Sequence, residues 1–388
     1  MARADWPDAF VAFVDLRDPR LDGPLRHALA EIVVIAIAAT VAGADSWLRV
    51  AQWGRTKESW LRTFLTLPHG IPAHDTFGRV FAVLDPQQFA ACYRDWMQAL
   101  VPAALLDGPI IAIDGKTARR SHDRWSGVAA LHTITAWATE AGIALGQRRV
   151  ADHENEISAL PALLEQVVVK GAVITMDAMG CQRALTGPIV AAEADYVLAL
   201  KANQPEALAV VHETFAAVAA GTQAVDQQDW HETLDKGHGR RERRTCRVIA
   251  DAATVTWLHT HEAGEWTGLR TLVEVQATCP RGDRTHQETR YYLSSLDPDA
   301  TRLNQLIRRH WAIENELHWV LDVVFNEDQS RIRQGYAAEN AGVLRKLALS
   351  VLKQDTASTL SLNGKRQQAA GDDPYLARVL GLPAPPSP

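Results

Sequence analysis

The sequence predicts a mixed α/β core preceded by an all-helical region, and three observations carry that prediction. From Leu25 to about Leu100 the apolar residues recur with helical spacing. From Pro109 onward, short apolar runs bounded by turn residues alternate with helical stretches, the mark of strands and helices in one core. Near the C-terminal end, Gln305–Asp328 (QLIRRHWAIENELHWVLDVVFNED) reads as one long amphipathic helix. Leu306, Ile313, Leu317, Leu321 and Val324 form its apolar side.

The elements follow in order. Residues 1–24 contain Pro7, Pro19 and Pro24 and are expected to form a mostly irregular arm. LRHALAEIVVIAIAATVAGA is a helix ended near Gly43, WLRVAQWG a second closed by Gly54, and ESWLRTFLTL a third stopped by Pro68. Asp75 is placed to cap TFGRVFAVL, and Asp85-Pro86 ends that helix and opens QQFAACYRDWMQAL. PIIAIDG, GVAALHTITAWAT and GIALGQRRVA read as strands, NEISALPALLEQVV as a helix, AVITMDAMG as a strand, QRALTGPIVAA as a helix and DYVLALK as a strand. EALAVVHETFAAVAA then forms a helix, followed by three strand-like segments in what reads as an insertion before the long helix. AAENAGVLRKLALSVLKQ is a further helix. The tail from about Ser358, ending LPAPPSP, is expected to be poorly ordered.

Composition bounds the function. Apolar content of 47% and charged content of 22% over 388 residues suit a soluble chain of two or three domains. The net charge of −6 weighs against a nucleic-acid partner, so any phosphate-binding surface must be local. Cys92, Cys181, Cys246 and Cys279 form no CxxC pair, which removes zinc-finger spacing and a disulfide framework and makes reduced thiols in a cytoplasmic compartment the default. The opening MARADWPDAF lacks a signal pattern, and the apolar run IVVIAIAATVAG falls short of the ~20 residues that cross a bilayer, so it is expected as a buried core helix.

Three carboxylates stand out. Asp114 in IIAIDGKT and Asp177 in AVITMDAMG each end an apolar strand and precede a small-residue turn, the edge where open α/β sheets bind ligands. Either alone is commonly a turn residue. Glu314 sits on the long helix, with His310 and His318 four residues to either side and so expected on one face. Oxygen donors of this kind suit Mg²⁺, which binds through a few carboxylates and keeps positions for water and phosphate. Two such ions about 4 Å apart can serve both oxygens of a phosphoryl transfer. Two other motifs are weaker. GKT at 115–117 fails as a P-loop because Ile110 stands where a glycine is required, and HxxxExxxH lacks the HExxH pattern of zinc proteases. Basic residues cluster nearby: Lys116, Arg119, Arg120 and Arg124 after the first acid, Arg240, Arg241, Arg243 and Arg244 in the insertion, and Arg308, Arg309, Arg331, Arg333, Arg345 and Lys346 around the long helix. Each group is either a solvated face or part of a basic groove. Trp311 and Trp319 are expected in the core. For the helical region, with Arg49, Arg55, Lys57, Arg62 and Arg79, a DNA-contacting module and a plain packing domain both stay open.

The motifs IPAHDTFGRVFAVLDP, AIDGKTARRSHD, HENEISALPALLE, ITMDAMGCQ, ADYVLALKANQP, DKGHGRRERR, RRHWAIENELHWVLDVVFNEDQSRIRQG and AAENAGVLRKLALSVLK run in order through nearly the whole chain. In them the sequence resembles the DDE transposases of insertion sequences, specifically the H-repeat-associated, ISAs-one type group. The resemblance implies a ribonuclease H-like catalytic core interrupted by an insertion. It places the catalytic and metal-binding triad at Asp114, Asp177 and Glu314, served by Mg²⁺ or Mn²⁺ as two ions per site. The implied activity is metal-dependent cleavage at element ends and 3′-hydroxyl strand transfer. The implied partner is DNA, both terminal inverted repeats and target, handled by a homodimer or larger assembly, with no membrane role. Lys116, Arg119, Arg120, Arg240, Arg241, His310, Arg331 and Arg333 are the candidate DNA contacts. Broader relatives carry Tyr, Arg, Glu and Lys on the catalytic helix; this chain has Ile307, His310 and Leu321 at the other three positions, which weakens transfer of a hairpin pathway and offers His310 as a phosphate donor. The expected domains are 1–104, helical and transposase-associated; 105–205 with 297–357, the split catalytic domain; 206–296, the insertion; and 358–388, the tail. A domesticated, non-catalytic DNA-binding protein and a metal nuclease without strand joining are the alternatives.

Overall fold

Buried apolar residues on every side of one helix set the core of the N-terminal region. Helix α1 (Leu29–Val41) is buried along its whole length, including Glu31. A computed structural model of the chain describes residues 6–20, 25–101, 105–122, 127–151, 153–237, 240–260, 264–281 and 284–383. After α1 come α2 (Trp47–Thr56), α3 (His74–Val83) and α4 (Pro86–Leu100), then strands β1 (Ile110–Thr117), β2 (His132–Ala138) and β3 (Ile143–Arg149). Next are α5 (Glu156–Leu164), β4 (Val173–Met176), α6 (Arg183–Ala191), β5 (Asp195–Leu200) and α7 (Pro205–Ala219). The stretch expected as an insertion holds β6 (Gln227–Gly237), β7 (Arg240–Ala250), α8 (Ala252–Thr260), β8 (Thr271–Arg281) and β9 (Arg284–Ser294). Helices α9 (Ala300–His310), α10 (Trp319–Val323), α11 (Ala337–Gln354), α12 (Leu362–Gly371) and α13 (Asp373–Val379) complete the order. The expected series of three strands, helix, strand, helix and strand is thus present.

The chain forms two compact units: Met1–Leu106 with Gly115–Asp152 and Glu314–Pro388, and Asp107–Asp114 with His153–Ile313. In the first unit, α11 packs against α1, α4 and β3, and β2 pairs antiparallel with β3. Buried polar contacts fix this packing. Ser350 Oγ lies 2.9 Å from Tyr93 Oη, and Asn340 donates to the carbonyls of Phe81 and Leu84 at 2.8 Å each. Asp85 caps α4 as expected, accepting from the amides of Gln87 and Gln88, with Pro86 in the first turn. Helix α3 instead starts at His74 with Ala73 before it, so Asp75 lies in the first turn. Helix α2 runs through Gly54, whose missing side chain makes room for Ile71; only Glu58–Leu61 of the third expected helix is helical.

One irregular expectation is corrected. The N-terminal arm holds only short helical turns, Asp8–Phe10 and Val11–Val14, which bury Phe10 and Phe13 completely. Most of the tail, by contrast, is α12 and α13, with Ala369, Tyr375, Leu376 and Leu380 buried; residues 384–388 lie outside the described residues. Proline count misled there, because a few well-spaced apolar side chains are enough to dock a short helix.

Arg345 and Lys346, taken from sequence as possible surface charge, are buried within α11. Arg345 lies 3.5 Å from Glu327, and the Lys346 ammonium donates to Gln147 at 2.7 Å. Burial pulls the Lys346 amine down to about 8. Below that pH both folded and unfolded chains carry the charge and the desolvation cost is fully present. Between about 8 and the ordinary 10.5 the unfolded chain alone holds the proton, so this group's contribution to stability improves as pH rises. Urea unfolding is therefore expected to show wild type gaining on Lys346→Met across that window; a constant difference would mean that the buried amine stays charged.

In the second unit, the Ile110–Ile113 part of β1 pairs parallel with β4, and β4 pairs parallel with β5. β9 then joins β5 antiparallel, followed by β8, β7 and β6. The expected insertion therefore extends the same sheet and adds β6 and α8 to the three strands expected. Helix α9 covers one face through Leu303, Leu306 and Ile307, which pack on Val173, Val197, Val248 and Val273.

Candidate active site

Parallel pairing places two of the three acids side by side. Ile113 of β1 is the register partner of Met176 of β4, so Asp114, still within β1, and Asp177, just past the end of β4, are the next residues where the parallel pairing stops. Strands in a sheet lie about 4.8 Å apart. The apolar runs before them, Ile110–Ile113 and Val173–Met176, fill the sheet core, which is why the acids fall at its edge. Asp177 also opens the turn Ala178–Gly180, its carboxylate accepting from the Met179 amide at 3.0 Å.

The turn is tightly held. A Cβ on Gly180 would stand 2.7 Å from Met176 Cβ, so the residue must be glycine or the turn must shift. Asn203 donates to the Ala178 carbonyl at 2.7 Å, and Gln204 donates to the Cys181 carbonyl at 3.0 Å. Neither residue was singled out in the sequence, where both lie at the end of the motif ADYVLALKANQP. Cys181 is buried, and burial pushes its thiol up to about 12, so it stays protonated beside the turn.

His310 belongs to the same unit. Its Nδ1 lies 3.0 Å from Thr175 Oγ1, and Thr175 is two residues before Asp177. Burial lowers the imidazole below the ordinary histidine range, against the opposing pull of Asp177. His310 is thus a neutral ring held by a hydroxyl, able to donate one N–H but not to act as a cation near neutral pH.

The long helix expected over Gln305–Asp328 is not uniform. Helix α9 ends at His310, Ile313–His318 is a π-helical turn, and α10 resumes at Trp319. The wider turn contains Glu314; single π turns interrupt helices frequently at functional positions. In the first unit, Glu314 is about half exposed and His318 is buried, with their side chains 3.7 Å apart. Trp311 and Trp319, expected in the core, are 42% and 58% exposed; Trp311 instead lies under the Arg290 guanidinium.

The basic candidates separate into engaged and open groups. Lys116, on the same strand face as Asp114 by alternation, donates to both oxygens of Asp322 at 2.8 Å. Burial raises the Asp322 carboxyl despite that lysine. Arg119 is exposed with Nε 3.3 Å from Asp328, and Arg120 is exposed with its carbonyl accepting from Arg333 at 3.2 Å. Arg308 is paired with Asp235, Arg243 with Glu232 and Arg244 with Glu242, so much of the charge near the insertion is neutralised locally. Arg240 and Arg241 lie in β7 with side chains outside the described residues, as is Arg124 entirely.

Residues 104–351 match the family described as "Transposase DDE domain", and residues 10–97 match the one described as "DDE_Tnp_1-associated". The chain belongs to the DDE transposase family. It is 37% identical over 366 residues to "Putative transposase YncI" of Escherichia coli O157:H7, covering 94% of this chain and 92% of that protein. It is 35% identical over 370 residues to "H repeat-associated putative transposase YhhI" of Escherichia coli strain K12, covering 94% and 95%. Among solved structures, a piggyBac transposase synaptic complex with hairpin DNA aligns over 99% of this chain and 80% of that one, at 9% identity and a TM-score of 0.39. The fold is the mixed α/β, ribonuclease H-like core expected of the family, with a helical N-terminal region. No helix among the described residues is long and apolar enough to cross a membrane.

Proposed function

We propose that this transposase cuts DNA at the ends of its element and joins the freed 3′-hydroxyl to target DNA, with Asp114, Asp177 and Glu314 as its catalytic acids. One observation carries the reading: Asp114 and Asp177 each directly follow the last register pair, Ile113 with Met176, of two adjacent parallel strands. Two carboxylates carried by neighbouring strands supply oxygen donors, which fit Mg²⁺ or Mn²⁺. Glu314 completes the set, and its π-helical turn sets the angle at which its carboxylate leaves the helix. When bound, such ions supply charge neutralisation at the phosphate and acidify the attacking hydroxyl.

The chain's own groups have separable tasks. Asp114 and Asp177 hold the ion positions on the sheet edge, and the Met179 amide fixes one Asp177 oxygen. His310, neutral and anchored by Thr175, donates a hydrogen bond to a phosphate oxygen. Lys116 keeps Asp322 paired. With one active site acting on each element end, two copies of the chain would work together.

The test uses labelled element-end duplex with Mg²⁺ or Mn²⁺, wild type beside Asp177→Ala. Metal-dependent cleavage and joining, lost in the variant, is the expected result. Cleavage without joining would support a nuclease, and binding with no chemistry in either protein would support a domesticated binder. Gly180→Ala probes placement alone: the clash with Met176 displaces the Asp177 turn. Cleavage is expected to fall about 10- to 100-fold with the fold retained, measured as a single-turnover rate beside a thermal melt; an unchanged rate would show that the turn geometry is unimportant.

A further inference from the structure

The arginines of the first unit converge at one place that the catalytic acids do not explain. A cleft of about 620 Å³ lies between α3 and the segment Arg331–Ala337. Arg79 lines one wall, Arg331 and Arg333 the other, and Trp47 lies between them, stacked on Phe81 at 4.7 Å. The segment is fastened in place. The Tyr336 amide donates to the Ala82 carbonyl at 2.9 Å, and Gly335, at φ +50°, presses against that carbonyl where a Cβ could not fit.

The charges in this cleft are unusual for the chain. Elsewhere in the described residues arginines are commonly matched to carboxylates, as Arg62 is to Glu58 and Arg378 to Asp355. Here Arg79 donates only to the Asp75 backbone carbonyl, Arg333 only to the Arg120 carbonyl, and Arg331 has no partner among the described residues. The one acid in the lining, Asp75, is 3.1 Å from His74. A protein of net charge −6 has therefore left three guanidinium groups unneutralised around one concave surface. Guanidinium groups with free N–H pairs match phosphate oxygens in a two-pronged geometry, and the cleft is open along its length rather than closed around a small molecule.

We propose that this cleft seats the sugar-phosphate backbone of duplex DNA, independently of base sequence. The proposal deepens the transposase reading and rests on it for the choice of DNA over another polyanion. It gives the helical region and the segment after the catalytic helix one shared task, holding the duplex while the acids act.

The test measures binding of the full-length protein to labelled duplexes of unrelated sequence by anisotropy across a salt series. Each phosphate contact contributes about 0.9 to the slope of log affinity against log salt. Arg79→Gln/Arg331→Gln is expected to lower the slope by about 2 equally for all sequences, while Arg79→Lys/Arg331→Lys keeps most of it. Arg62→Gln/Lys170→Gln removes the same net charge from ion-paired positions elsewhere and is expected to leave the slope unchanged. Melting temperatures check that all variants are folded. A wild-type slope in the first variant, or an equal drop in the control, overturns the proposal. Metal-dependent cleavage by wild type and by Asp177→Ala is read separately. Chemistry that survives beside an unchanged slope sinks the cleft alone, whereas a reduced slope beside wild-type chemistry that does not need Asp177 sinks only the catalytic reading. Failure of wild type to bind any duplex sinks both.

Discussion

Asp177→Ala is expected to abolish cleavage and strand transfer while leaving duplex binding close to wild type. Asp177 follows the end of β4 and is not a core residue, and its removal takes away one carboxylate and the hydrogen bond it accepts from the Met179 amide. The structural loss is about 1 kcal/mol. The chemical loss is far larger, because a metal contributes several kcal/mol of transition-state stabilisation and each 1.36 kcal/mol is a factor of about ten in rate. A fall of about 1,000-fold or more is expected, and the same holds for Asp114→Ala and Glu314→Gln. Retained strand transfer in any of the three would remove that residue from the catalytic set.

Glu31→Ala is expected to be the most destabilising single change in the helical region. Glu31 is 2% exposed on a helix whose other residues are nearly all apolar. Its Oε1 accepts from the Thr66 amide at 3.0 Å, the Thr66 hydroxyl at 2.8 Å and the Leu67 amide at 2.9 Å. Those donors lie in a turn where Leu67 holds a left-handed conformation, φ +43°, and the carboxylate keeps it there. Truncation leaves the buried Leu67 amide without an acceptor, at roughly 1–3 kcal/mol, and turns the part-buried Thr66 amide and hydroxyl towards water at a smaller cost, so a loss of about 2–3 kcal/mol is expected in chemical unfolding. Glu31→Gln keeps an acceptor oxygen and is expected to recover most of it. Equal losses in the two variants would show that the charge, not the acceptor, holds the turn.

The candidate site was legible where chemistry is written in local pattern. An apolar run ending in an acid and a glycine can be read one strand at a time, and Asp114 and Asp177 were both found that way. Their pairing could not be read, since register between β1 and β4 is a contact across some sixty residues and depends on which strands become neighbours. Asn203 and Gln204 escaped for the same reason: each acts through a hydrogen bond that exists only once the Asp177 turn is packed.

By itself the sequence determined the order of helices and strands, the burial of α1, the acid-ended strands and membership of the transposase family. Those rest on periodicity and residue type, which act over a few neighbouring positions. The tertiary structure alone decided how a charged residue is used. Lys346 and Arg345 look like surface cations in the chain and are buried, Lys116 is spent on Asp322, and Arg79, Arg331 and Arg333 are left open around one cleft. It also broke the long helix into α9, a π-helical turn and α10 around Glu314, where a regular period had predicted continuity. The physical reason is common to all of these: desolvation and ion pairing depend on what lies within a few ångströms in space, and for long side chains that neighbour is set by the fold rather than by position in the sequence.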